Sequence, residues 1–184
     1  MSPPTTRDKI IDAAMAVVRE QGVAKLTLDE AAKGAGLSKG GVLYHFKTKD
    51  DLIRGMVERL INQCDKLQLA YYDKEPEGPY RWARAMVQTT FDPNGPASDK
   101  VSGALLASVA VNSELVAPIQ AKYDEWIERI RSDSPSPMLA GLIGMAMDGY
   151  SFERIMGLKL CDEEDEMKMK QYILDLLKAE PTHE

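Results

Sequence analysis

The chain has two cysteines and two histidines in 184 residues, and each shortage removes a class of function. Cys64 and Cys161 lie far apart with no CxxC spacing, so they read as reduced, buried thiols and not as a disulfide or a metal site. His45 and His183 are the only histidines, and neither an HExxH motif nor a Ser/His/Asp set can be assembled around them. No enzyme, metal site or cofactor is therefore expected. No stretch approaches the ~18 consecutive apolar residues of a membrane span. The start, Met1-Ser2-Pro3-Pro4-Thr5-Thr6-Arg7, leads into an amphipathic run and not an apolar signal core, so a cytoplasmic protein with no membrane partner is expected. Strand-type alternation of Val, Ile and Thr is also missing, which leaves an all-α fold.

What is short overall is present locally in the case of positive charge. The net charge of −6 would argue against a nucleic-acid partner if it were evenly spread. Residues 1–50 carry 8 Lys/Arg against 6 Asp/Glu, while the remainder carries 15 against 23. A mildly basic head on an acidic body suits a protein that touches phosphates at one end only. The acidic run Asp162-Glu163-Glu164-Asp165-Glu166 lacks the Gly-containing spacing of a calcium loop and reads as a solvated helix start.

Apolar spacing and end signals predict about nine helices. Thr5 or Thr6 caps the first, which closes at Gly22; Thr27 caps a short one ending around Gly34-Ala35-Gly36; Ser38 caps a third reaching Tyr44 or His45. A long helix follows from about Lys49 to Tyr71, with no flexible linker before it. Further helices are expected at Tyr80–Phe91, Ser98–Val111, Leu115–Arg131, Pro137–Gly157 and Asp162–Ala179, separated by Pro- and Gly-rich breaks. The division expected is a head at 1–48 and a helical body at 49–184.

Residues 26–52 carry most of the functional information. Two short helices joined by a tight Gly-containing turn, the second presenting Ser38, Lys39, Tyr44 and His45, have the layout of a helix-turn-helix. Thr27 and Ser38 sit at helix starts, where each can cap its helix, contact a phosphate, or do both. Lys39 can reach guanine or phosphate. Gly40 and Gly41 each cost a helix roughly 1 kcal/mol relative to Ala, which points to close approach of backbone to DNA in preference to a loose turn. Leu43 shares that face, Lys49 can hold a phosphate, and Val42 and Phe46 read as core.

The pieces Thr6-Arg7-Asp8-x-Ile10-Ile11-x-Ala13-Ala14, Gly22, Leu26-Thr27-Leu28, Ala35-Gly36-Leu37-Ser38-Lys39-Gly40 and Leu43-Tyr44-His45-Phe46-x-x-Lys49-x-x-Leu52 resemble, in order, the DNA-binding domain of the tetracycline-repressor (TetR/AcrR) family of bacterial regulators. The resemblance covers about a quarter of the chain. Ala31 stands where a branched apolar residue is usual and Gly34 lies in the same helix, leaving room for closer packing. The resemblance implies phosphate contacts from Thr27, Ser38, Tyr44 and His45. It also implies a homodimer on a palindromic double-stranded DNA operator, dimerised through the last two helices, and a small-molecule effector bound in the body.

For the dimer, Gly141, Gly144 and Met147 with Ile173, Leu176 and Leu177 are the candidates, although a Gly- and Met-rich helix also suits an internal core. For the effector site, Trp82, Met86, Phe91, Tyr123, Trp126, Met145 and Phe152 offer large flexible apolar surface, each of which is also an ordinary core residue. Asp148 among aromatics would favour a lipophilic cation, with a surface role as the competing reading. The expected function is a repressor released from DNA by a small hydrophobic molecule. The alternative is a DNA-binding activator or co-regulator whose body binds a protein partner.

Overall fold

A computed structural model describes residues 3–159 and 161–178; Ala179, expected to end the last helix, and His183 lie outside the described residues. Among the described residues there are nine α-helices and no strand: α1 Thr6–Gln21, α2 Leu28–Ala35, α3 Lys39–His45, α4 Lys49–Lys74, α5 Arg81–Thr90, α6 Lys100–Val111, α7 Ala117–Ser132, α8 Pro137–Met156 and α9 Glu163–Leu176. Short 3-10 turns at Val23–Lys25, Pro96–Ser98 and Ser113–Leu115 link some of them. None of these helices is long and apolar enough to cross a membrane.

The helix starts follow from side-chain caps. Thr5 and Asp8 form a reciprocal capping box on α1, and Thr48 and Asp51 exchange the same pair of bonds, both 3.0 Å, at the start of α4. Thr27 Oγ1 accepts from the Glu30 N–H at 3.1 Å, the forward half of a box. Asp162 Oδ1 accepts from the Asp165 N–H at 2.9 Å. Each such cap satisfies an amide that the helix itself leaves open.

Contacts group the chain into two compact units, Met1–Ile61 with Lys100–Ala121, and Asn62–Asp99 with Lys122–Glu184. In the first, Ile10, Ile11 and Ala14 of α1 pack with Ala31, Val42, Leu52, Met56 and Val101. Close approach is built in by small residues. A Cβ on Gly34 would lie 3.2 Å from Ala13 Cβ, and one on Gly55 would lie 2.9 Å from Phe46 Cε1. Arg59 of α4 donates to Asp8 (2.6 Å) and Asp12 (3.1 Å) of α1, and Arg7 pairs with Glu58 at 2.8 Å.

In the second unit Tyr80, Val87, Ile130, Ile143, Met147, Leu174 and Leu177 form the core. Tyr80, expected as the first residue of α5, instead precedes it in the left-handed region (φ 58, ψ 25). Its N–H donates to the Asp133 carbonyl (2.9 Å), and its hydroxyl accepts from the Ser136 N–H (3.0 Å). Those bonds and full burial of the ring hold a backbone that a bulky residue otherwise avoids. Asp133 also caps α5 through the Trp82 N–H.

A ladder of charges and rings ties three elements of this unit together. The Arg81 guanidinium lies 4.2 Å from the Tyr72 ring centroid, Tyr72 stacks on Trp82 at 3.8 Å, and Arg129 lies 5.2 Å from Trp82. Arg129 also donates to Asp65 (2.6 Å), which accepts from the Trp126 indole N–H (2.9 Å) and pairs with Lys122 (3.1 Å). Burial alone would push the Asp65 carboxyl up; the hydrogen bonds from Trp126, Lys122 and Arg129 together outweigh it and hold the group below its ordinary range.

Candidate nucleic-acid interface

The α2–turn–α3 segment is positioned by its buried side. Val42 (0% exposed) and Phe46 (2%) anchor α3 in the core of the first unit, as their apolar side chains predict. Gly36, in the left-handed region (φ 67), ends α2 and turns the chain into α3. Ser38 Oγ accepts from the Gly41 N–H at 3.1 Å, so its hydroxyl caps the helix. Anchoring one side turns the opposite side of α3 outward.

That outward side carries Lys39, Gly40 and Tyr44, all exposed, with Gly41, Leu43 and His45 half-buried beside them. Tyr44 is 78% exposed, and its ring meets His45 edge-on at 5.0 Å. A Cβ on Gly40 would meet nothing nearer than Ser38 Oγ at 4.0 Å, and on Gly41 nothing nearer than 3.5 Å. No packing among the described residues requires glycine at either position. Lys49 is engaged: its ammonium donates to the Val23 carbonyl at 3.0 Å, leaving two of its three donors for other acceptors. Lys39 pairs with Asp29 at 3.0 Å. Asp29 is the residue the sequence reading overlooked, because its partner is ten positions away and no helical spacing relates them.

The effector candidates separate into two groups. Trp82, Met86 and Phe91 are half-buried against the core of the second unit, Phe91 stacking on Tyr150 at 4.5 Å, and Trp126 is held by Asp65. Tyr123, Met145, Asp148 and Phe152 are exposed. Asp148 does stand beside an aromatic group: Tyr123 donates to it at 2.7 Å, and that bond pushes the Tyr123 phenol up to about 12. Cys64 and Cys161 are free thiols, and burial pushes the Cys64 thiol up to about 11.

The dimer candidates also divide. Met147 (3% exposed) and Leu177 (0%) lie in the core of their own unit, where a second copy has no access to them, and Ile173 packs against the same core. Gly141 and Leu176 are exposed and Gly144 half-buried. The sequence reading missed an apolar row on α8: Met138, Leu142, Met145, Phe152 and Met156 are all more than half exposed. With Gly149, their positions step by alternating fours and threes, a signal legible in the sequence.

Two family models match the chain. "Bacterial regulatory proteins, tetR family" matches residues 10–56, and "Tetracyclin repressor-like, C-terminal domain" matches residues 80–178. The HTH-type transcriptional regulator AcrR of Shigella flexneri is 38% identical over 74 residues, which are 40% of this chain and 34% of that protein. TtgR of Pseudomonas putida is 30% identical over 87 residues, 47% of this chain and 41% of that protein. The matches thus span about a third to two fifths of the length of these curated relatives. Among solved structures, a TetR-family member from Streptomyces coelicolor A3 superposes with a TM-score of 0.68 at 22% identity, covering 92% of this chain and 98% of that one. The multidrug binding protein EbrR complexed with ethidium gives 0.66 at 21%, with the same coverage. At such identities the likeness concerns the fold.

Proposed function

The chain belongs to the tetracycline-repressor family of bacterial regulators, and from that premise we propose that it is a DNA-binding repressor released by a small hydrophobic effector. Residues 1–48 form the head that reads DNA, and 49–184 the body that binds effector and dimerises. The protein acts in the cytoplasm, on a palindromic operator. The observation that carries this reading is the outward side of α3: an exposed Tyr44, two glycines with open space above them, and Lys39 at the start. A helix with that surface can bring its backbone and short side chains against base edges while Thr27, Ser38, Tyr44, His45 and Lys49 hold phosphates.

A second copy is the occupant of the exposed α8 face. Alternating steps of four and three are the seam spacing of paired helices, and open space at Gly141, Gly144 and Gly149 lets a neighbouring helix come close. Effector binding in the second unit reaches the head through α4, which runs unbroken from Lys49 to Lys74. Release requires the effector to favour the non-binding spacing of the two heads by ~1–3 kcal/mol or more. Lipophilic cations are the effector class, supported by the EbrR complexes with ethidium and malachite green and by the aromatic, carboxylate-bearing surface at Tyr123, Trp126 and Asp148.

The test is a nuclease footprint of the full-length protein on the DNA upstream of its own gene, with ethidium and malachite green as probes. A protected palindrome that is lost on adding either dye supports the reading. Protection that survives saturating dye removes the effector half and favours a regulator whose body binds a protein partner; no protection removes the DNA half.

A further inference from the structure

The Lys39–Asp29 pair is the least expected feature of the head. Lysine at the start of a recognition helix is useful as a free cation, yet here its ammonium lies 3.0 Å from a carboxylate, with both side chains more than 60% exposed (63% and 62%). An ion pair this open contributes little to stability. Helix α2 does not need it either, since Glu30 supplies a second acid to the same first turn. In DNA binding the pair is costly, because a cation cancelled by its neighbour loses attraction for phosphate and a carboxylate near the backbone repels it.

The arrangement is repaid where both groups find partners at once. Lys39 Nζ is a donor, and the Asp29 oxygens beside it are acceptors. In the major groove a G·C pair presents the complementary pattern, with guanine O6 and N7 accepting and cytosine N4 donating. We propose that Asp29 is a specificity-determining residue: together with Lys39 it reads one G·C pair in each half-site, the carboxylate accepting from cytosine N4 while the ammonium donates to guanine. This rests on the DNA-reading head proposed above and adds to it a base identity.

The experiment selects from randomised duplexes about three helical turns long, using the full-length protein and its Asp29→Ala, Asp29→Asn and Glu30→Gln variants. The wild type enriches a motif with an essential cytosine. Asp29→Ala keeps the rest of the motif, accepts any base there with discrimination reduced about tenfold, and binds unselected duplex more tightly than the wild type does. Asp29→Asn, which preserves side-chain shape, moves the preference toward adenine, the base an amide reads. Glu30→Gln removes the same charge from the same turn and leaves the motif unaltered. The inference is overturned if Asp29→Ala and Asp29→Asn select the wild-type motif with undiminished discrimination, or if Glu30→Gln relaxes the same position equally. A wild type that enriches no motif overturns the DNA-reading head itself, a separate and recognisable result.

Discussion

At Gly40 and Gly41 a methyl group fits without displacing anything, whereas at Gly55 it would strike the Phe46 ring at 2.9 Å. The three glycines therefore predict opposite outcomes. Gly40→Ala and Gly41→Ala each stabilise the protein by about 0.5–1 kcal/mol, the helix-propensity gain, while weakening DNA binding, because the added methyl stands where base edges must come. Gly55→Ala destabilises by about 1–3 kcal/mol through overpacking. Thermal melting together with fluorescence anisotropy on a selected duplex separates the two effects. A Gly40→Ala protein that binds DNA as tightly as the wild type removes close approach as the reason for glycine. These roles were half legible in the sequence. Two glycines in a short helix are locally costly and point to something outside the helix, but only the neighbouring atoms distinguish open space at Gly40 from the crowding at Gly55.

Between elements, the Asp65 network and the α8 row make separate claims. Asp65 receives three donors from α7, so Asp65→Asn removes the charge that holds Arg129, Lys122 and the Trp126 indole, at a cost of about 1.5–3 kcal/mol. Its folded carboxyl titrates below the ordinary value of 3.8, so its stabilisation is complete above that pH and is lost as the pH falls through the lower folded value. Acid melts should show the wild type losing its advantage over Asp65→Asn in that window; a constant difference down to the lowest pH contradicts the assignment. On α8, Leu142→Glu and Phe152→Glu put charge into the exposed row and should convert the proposed dimer to monomer in sedimentation, with α-helix content retained. Helix positions were legible from spacing and caps to within a few residues, as α4 shows by ending at Lys74 and not near Tyr71. Burial was less legible: on α8 Met147 turns inward while Met145 and Phe152 turn outward, because a Met- and Gly-rich helix offers apolar groups on several sides and local spacing alone does not say which side the core takes.

In the assembly proposed for the whole molecule, the α3 surface reads one half-site and the α8 surface brings a second copy. One seven-residue recognition helix spans few base pairs, so in the proposed dimer affinity depends on two heads acting together at a set separation. The head was recognisable from sequence because contact with DNA constrains residue type at many positions in order. The proposed effector site was not, since large apolar side chains serve pocket and core equally well. Dimeric operator binding is tested by the stoichiometry and affinity of the full-length protein on a selected palindromic duplex, measured by analytical ultracentrifugation for the wild type and for Phe152→Glu. The expected result is two wild-type chains, or a multiple of two, per duplex, and a loss of binding in Phe152→Glu that a single half-site duplex does not show. One wild-type chain bound per duplex, or undiminished palindrome binding by a monomeric Phe152→Glu protein, would contradict it.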